Sequence, residues 1–237
     1  SPFTVTVTTD VTVRSITFST NSANAATLTV NTEKTLIVTT VGGGTGAIIL
    51  QNAAGANTAA TLAGAGTINC DSITVGGTTT NLSADSTTIL TSTISTLSIS
   101  GNLNINGEDD AADDNNATFA LASGSVSVGG TINTDEESGS VVTITLNTGD
   151  ETGTLTLSGS TPFTNVVGPP TCDANGTNAT VIYSRAGAQT VRAVTYRNLT
   201  LSGSGAKTAT GATVNGTLSM QGTATTTGTS PTYGASA

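Results

Sequence analysis

The sequence predicts an all-β chain wound as a parallel β-solenoid, a β-helix with loop insertions. Three observations predict it. Short runs alternate apolar and hydroxyl residues and close on Gly or Asn, as in Thr96-Leu97-Ser98-Ile99-Ser100-Gly101 and Thr154-Leu155-Thr156-Leu157-Ser158-Gly159. Alternation with period two gives a strand one apolar face and one hydroxyl face. The runs recur at roughly rung-sized spacing, which stacks them into an elongated body. The core formers are small: the 237 residues are 35% hydrophobic but only 3% aromatic, with no Trp. Val, Ile, Leu and Ala fill a thin lumen densely; they fill a wide interior poorly. Tandem antiparallel β-sandwiches are the alternative architecture, against which the tight Gly-bounded doublets and the missing Trp weigh.

Along the chain, Phe3–Thr9, Val11–Thr20 and Ala26–Thr40 read as strand-like stretches, and Gly42-Gly43-Gly44 as a turn. Ala47–Gln51 is a short apolar strand. Ala53–Ala63 is Ala-rich but carries no helical stripe, so it reads as loop plus short strand. Thr67–Gly77 is a strand pair. Thr87–Asn106 carries the clearest doublet: Leu97 and Ile99, Gly101, then Leu103 and Ile105. Two short strands joined by a bend at Gly suit a coil corner. The anchors Ile73, Leu97, Val126, Leu155, Leu199 and Leu218 are unevenly spaced, most widely between Leu155 and Leu199. Coils of roughly 20–30 residues with loop insertions fit that series. The widest interval holds Ser160–Ala179, with Pro162, Pro169-Pro170 and Cys172, and reads as a loop or a change of module. The expected division is a solenoid body with acidic loops over 1–165 and a strand-repeat continuation over 166–237.

Charge narrows the partners. Six basic and fifteen acidic residues give a net charge of −9, which disfavours nucleic acid and anionic membrane surfaces. No apolar run is long enough to span a bilayer. No signal peptide is visible at Ser1, and both ends read as cuts in a longer polypeptide or as a processed product.

Ten carboxylates fall within residues 108–151. Crowded carboxylates repel one another unless a hard cation bridges them, so Asp109, Asp110, Asp113 and Asp114, with Asn115, are the candidate Ca²⁺ ligands. Their spacing matches no EF-hand, and a solvated acidic loop that keeps the protein soluble is the competing reading. Cys70 and Cys172 are the candidate disulfide in an exported protein. In a regular coil, about four rungs of roughly 4.8 Å would separate them, against a limit of about 7 Å, so the bond needs the chain near Cys172 to fold back.

Paired carboxylates also suit a glycosidase, but aromatic platforms are sparse and His is absent. Ser/His/Asp and Cys/His catalysis are excluded outright, and no enzyme is expected. Arg185, Arg192 and Arg197 read as exposed strand residues paired with acidic neighbours. Thr-x-Thr runs such as Thr4-Val5-Thr6 suggest hydroxyl ranks of the ice-binding kind. The pairs keep no fixed rung position in the sequence, which favours ordinary outward threonine. Six Asn-x-Ser/Thr sequons, at Asn81, Asn116, Asn175, Asn178, Asn198 and Asn215, permit glycosylation.

The stretch Tyr183…Gly187-Ala188-Gln189-Thr190-Val191, Tyr196…Asn198-Leu199-Thr200-Leu201-Ser202-Gly203 and Val214-Asn215-Gly216-Thr217-Leu218 resembles strand repeats of large bacterial surface proteins. It is similar to those of autotransporter passengers and filamentous-haemagglutinin-like adhesins. The resemblance covers 181–237 best and implies export, a β-helical body, and an adhesive or scaffold role at the cell surface. With no chemistry between the runs, the expectation is an extracellular structural protein: a rod, sheath or filament whose uncapped coil edges pair head to tail with further copies. An adhesin or glycan-binding module, using the Ser160–Ala179 region, is the alternative.

Overall fold

The computed structural model describes residues 3–19, 25–40, 46–51, 57–77, 86–110, 113–135, 140–146, 152–167 and 171–234. Among them there is no helix, and the strands follow one another around a three-sided coil. Coil one is β1 (Phe3–Val7), β2 (Val11–Val13) and β3 (Ile16–Phe18). Coil two is β4 (Ala26–Val30), β5 (Thr35–Val38) and β6 (Ala47–Leu50). Coil three is β7 (Thr58–Ala63), β8 (Thr67–Cys70) and β9 (Ser72–Gly76), and coil four is β10 (Ser86–Ser92), β11 (Thr96–Ile99) and β12 (Leu103–Asn106). Coil five opens with a side strand, β13 (Glu108–Asp110), then runs β14 (Asp113–Leu121), β15 (Gly124–Val128) and β16 (Ile132–Asp135). Coil six is β17 (Val142–Leu146), β18 (Gly153–Leu157) and β19 (Phe163–Val167). Coil seven is β20 (Thr171–Asp173), β21 (Thr180–Tyr183) and β22 (Gln189–Thr190), after which β23 (Thr195–Tyr196) re-enters the first wall one rung further on, bridged to Ala174 beside β20. Coil eight is β24 (Asn198–Leu201), β25 (Ser204–Thr208) and β26 (Thr213–Val214), and coil nine is β27 (Leu218–Met220), β28 (Thr223–Thr227) and β29 (Thr232–Tyr233).

Every coil-to-coil pairing is parallel, so the chain is a parallel β-solenoid and not a pair of antiparallel sandwiches. The first sheet stacks β1-β4-β7-β10-β14-β17-β20, the second runs unbroken from β2 to β27, and the third stacks β3 to β19. Beyond β20 two three-stranded sheets take over the other sides, β22-β25-β28 and β23-β26-β29. A bridge between Ala174 and Tyr196 joins the end of the first sheet to the last of these.

The alternation sorts side chains as the sequence predicts. In the second sheet the register lines up Val13, Val38, Cys70, Ile99, Val128, Leu157, Tyr183, Leu201 and Met220 in one inward column. The third sheet does the same with Ile16, Ile48, Ile73, Leu103, Ile132 and Phe163. These columns line one continuous apolar lumen. Each buried Leu, Ile or Val side chain contributes about 1.5–3 kcal/mol relative to exposure. At the corner between first and second sheets, coils three and five turn on glycine. Gly64 (φ 106°) and Gly124 (φ 81°) stand there in the left-handed region, and a Cβ at either would fall 2.1 Å from a carbonyl oxygen of the preceding coil.

The register corrects the phase of the repeat. The predecessor of Leu97 on the second sheet is Ile68, not Ile73, and the step from Ile68 to Leu97 equals the step from Leu97 to Val126. Ile73 belongs to the third sheet. The long interval from Leu155 to Leu199 conceals a whole coil, because Val181 stands between them in the same column. Ser160–Ala179 is accordingly no plain loop, because β19 and β20 carry the third and first sheets through it. The second sheet crosses residue 165 without a break. What changes beyond it is coil length: the steps from Val181 to Leu199 and from Leu199 to Leu218 are much shorter than those of the body.

Candidate functional site

The acidic cluster lies where the coil makes its one antiparallel excursion among the described residues. The strand β13 folds back on the start of β14, setting Asp109 opposite Asp114 and Asp110 opposite Asp113. The hairpin therefore brings the four predicted calcium ligands onto neighbouring backbone positions. Asp109, Asp110 and Asp113 are described by their backbone alone, and Asp114 is half-buried. Glu136, Glu137, Asp150 and Glu151 lie outside the described residues. Just inside the hairpin, Asn115 is fully buried, and its Oδ1 accepts from Ser86 Oγ at 3.0 Å and Thr88 Oγ1 at 3.1 Å. This polar rank lines the lumen at the corner that leads out to the acids.

The structure does not bring the two cysteines together. Cys70 is a buried free thiol in coil three, on the second sheet. Cys172 stands on the first sheet in coil seven, paired with Ile144, so the chain there follows the coil and does not fold back. About four rungs of roughly 4.8 Å exceed the reach of a disulfide. Burial, with the neighbouring Asp71 carboxylate, pushes the Cys70 thiol up to about 12.

Outward hydroxyls are ordered more strictly than their sequence spacing suggests. On the second sheet, Thr35, Thr67, Thr96, Ser125, Thr154 and Thr180 occupy one column through six successive coils. On the third sheet an amide ladder runs along the rod. Asn104 Nδ2 donates to Thr74 Oγ1 at 3.4 Å, Asn133 Nδ2 to Asn104 Oδ1 at 2.8 Å, and Thr164 Oγ1 to Asn133 Oδ1 at 2.6 Å. Beside the second sheet a groove of about 400 Å³ is lined by Ile37, Val38, Cys70 and Ile99 together with the polar Asn69, Asp71, Ser98, Ser100, Ser127 and Ser158. Asp71 is already engaged there, accepting from the Thr40 amide at 2.9 Å.

Sequence reasoning missed the polar interior of the short coils. Lys207 points inward and is fully buried. Its Nζ donates to the Arg185 carbonyl at 2.7 Å, the Gly187 carbonyl at 3.1 Å and Gln189 Oε1 at 3.3 Å. Gln189 Nε2 in turn donates to the carbonyls of Leu157 and Gly159. Burial, then the nearby Arg185, holds the Lys207 ammonium below its ordinary range. Tyr183 and Tyr196 meet edge to face with their hydroxyls 2.8 Å apart. The Arg192 amide donates to the Tyr183 hydroxyl, and the Arg192 carbonyl accepts from Tyr196. The Arg192 guanidinium lies 5.1 Å from the centre of the Phe163 ring. The alternation of Lys207 with Ala206 and Thr208 was the available signal, but a lysine at an inward position reads as outward on charge alone. Among the sequons, Asn198 donates to the Ala179 carbonyl, Asn116 accepts from the Val141 amide and Asn215 donates to Asn175.

Of the seven exposed large apolar side chains among the described residues, Ile37 and Val141 lie on coils two and six and the other five at the two ends of the stack. Phe3, Val5 and Val11 are 50%, 53% and 38% exposed in coil one, and Met220 and Tyr233 are 46% and 71% exposed in coil nine. All five continue inward columns that are buried in the adjacent coils. A concavity of about 350 Å³ opens at coil one over Leu28 and Leu36. No protein-family model, curated protein or solved structure significantly matches this chain.

Proposed function

We propose that this chain is an extracellular structural protein of a microbial surface. Its solenoid serves as a rod, and its copies join end to end into a filament. The observation that carries this reading is the stack itself, whose second sheet runs through nine parallel strands without a break. The edges of β1, β2 and β3 that face away from coil two, and those of β27, β28 and β29 that face away from coil eight, have no partner among the described residues. Of the lumen residues at these edges, Phe3, Val5, Val11, Met220 and Tyr233 are exposed, whereas Phe18 is buried. Unpaired parallel edges template another strand, and an exposed apolar patch marks a contact surface. The two edges have opposite polarity, so they join head to tail and the contact does not close on itself. The strand-repeat texture of 181–237 supports a place at a cell surface, and the absence of His removes the common catalytic triads. The role in this reading is mechanical and not catalytic. Sedimentation over a wide concentration range, with electron micrographs of the same samples, tests this. Unbranched filaments one solenoid wide are expected, and a monodisperse monomer at every concentration refutes it.

The groove beside the second sheet favours a second reading, an adhesin. Its hydroxyl, amide and carboxylate lining offers hydrogen bonds to a glycan without an aromatic platform. Binding to a glycan array that Ser98→Leu with Ser127→Leu abolishes, with assembly intact, would support this reading over the first.

A further inference from the structure

We propose that the step where long coils give way to short ones is a binding site for an acidic sugar, a uronate-type residue of a polysaccharide. This goes beyond the filament reading and does not depend on it. The third sheet ends at β19, inside the stack, where the steps along the second sheet begin to shorten. Phe163 is the last member of that sheet's inward column. Its predecessor Ile132 is fully buried, whereas Phe163 is only half-buried. Beyond it the wall is taken up by β22, which belongs to a different sheet. A cavity of about 300 Å³ opens at this step. Pro162 and Val191, both buried, join the Phe163 ring on its apolar side, and the exposed Thr161, Thr190 and Thr210 supply three hydroxyls.

The charge in the cavity comes from Arg192, whose guanidinium lies 5.1 Å from the centre of the Phe163 ring. Among the described residues no carboxylate lines the cavity. The arm that carries Arg192 is anchored from within. Its amide donates to the Tyr183 hydroxyl at 3.0 Å, its carbonyl accepts from the Tyr196 hydroxyl at 2.8 Å, and both tyrosines are fully buried. A planar, permanently charged guanidinium on a fixed backbone suits a carboxylate, which it grips with two parallel N–H bonds. The rest of the lining suits a sugar ring, whose C–H face packs on apolar and aromatic side chains while its hydroxyls bond to threonines. The surrounding charge points the same way. Residues 152–237 carry Arg185, Arg192, Arg197 and Lys207 against the single acid Asp173, whereas residues 108–151 carry ten acids and no base. An anionic polymer is drawn to the short coils and repelled by the acidic stretch.

Polygalacturonate immobilised on a biosensor is the probe, with free galacturonic acid, galactose and acetate as competitors. The full chain binds, and galacturonic acid displaces it at a concentration roughly tenfold or more below that of either other competitor. Arg192→Gln weakens binding by roughly tenfold or more, the effect of losing one charge-assisted pair. Arg192→Lys does not restore it, because a point charge lacks the fork. Thr210→Glu, an exposed position that sets a carboxylate in the cavity, weakens it as well. Arg197 does not line the cavity, so Arg197→Gln leaves binding unchanged. Thermal melts confirm that each variant is folded. If Arg197→Gln costs as much as Arg192→Gln, the attraction is diffuse charge and the cavity is not the site. If acetate competes as well as galacturonic acid, or galactose does, the acidic-sugar assignment falls. If the chain does not bind polygalacturonate at all, the proposal is overturned while end-to-end assembly, read by sedimentation, stands.

Discussion

Cys70 offers a direct check that the lumen is dry and that β8 faces it as described. The perturbation is alkaline pH. The thiol ionises near 9.0 in an unfolded chain, whereas burial beside Asp71 raises it to about 12 in the fold. Between those values the unfolded chain releases a proton that the folded chain retains. The unfolded state then binds fewer protons, so stability falls as pH rises. Each unit of pH across that window costs at most about 1.4 kcal/mol. The loss is about 1.4 kcal/mol at pH 10 and about 2.7 kcal/mol at pH 11, and it is negligible at pH 8. Cys70→Val removes the titration and suits the site, since the same inward column carries Val38 and Val128. Urea unfolding of both proteins at pH 8, 10 and 11, under reducing conditions, gives the difference. The other titrating groups are common to both proteins and cancel. The variant should overtake the wild type progressively above pH 9. Parallel pH profiles would mean that the thiol is solvated, and the inward assignment of β8 would fail with it.

Lys207 titrates with the opposite sign. Its folded value lies below 10.5, so the unfolded chain holds the extra proton and the wild type gains on Lys207→Met as pH climbs toward 10.5; matched thermal melts measure it. Gly124→Ala places a methyl against the Ile94 carbonyl on a backbone at φ 81°, so urea titration should show a loss of at least roughly 1–3 kcal/mol. Phe119→Ala empties the fully buried centre of coil five and should cost about 3–5 kcal/mol in the same assay.

The body of the solenoid was legible because its signal is local. Leu97, Ile99, Leu103 and Ile105 alternate around Gly101, and they face inward on two sheets as that pattern requires. What the sequence hid was phase. Steps along the second sheet are unequal, longest from Leu36 to Ile68 and shortest from Val181 to Leu199. Threonines stacked in one column therefore sit at irregular intervals in the chain. The coil through Val181 escaped notice because it closes its strand on Tyr183, where its neighbours place Leu157 and Leu201. The candidate site divided similarly. The clustering of Asp109, Asp110, Asp113 and Asp114 could be read directly, but their pairing across a hairpin depends on β13 reversing, which no residue pattern announced. Met220 and Tyr233 alternate as ordinary strand residues, and only the stacking order reveals that no further strand among the described residues covers them.

The corners of the long coils are not equivalent. From coil one to coil four the turn from first to second sheet takes three or four residues every time. The passage from third sheet back to first takes seven, seven and nine before the hairpin of coil five, and the link from β5 to β6 takes eight. Over these four coils one corner is thus held to a fixed gauge and the slack is taken up elsewhere, whereas in coils five and six that corner takes two and six residues. Lengthening a surface loop is cheap, since each doubling adds only about 0.6 kcal/mol of closure entropy. Between coils one and four, the seam where each coil hands over to the next is therefore where such a chain can accept foreign sequence while the walls keep their spacing: a margin to write in.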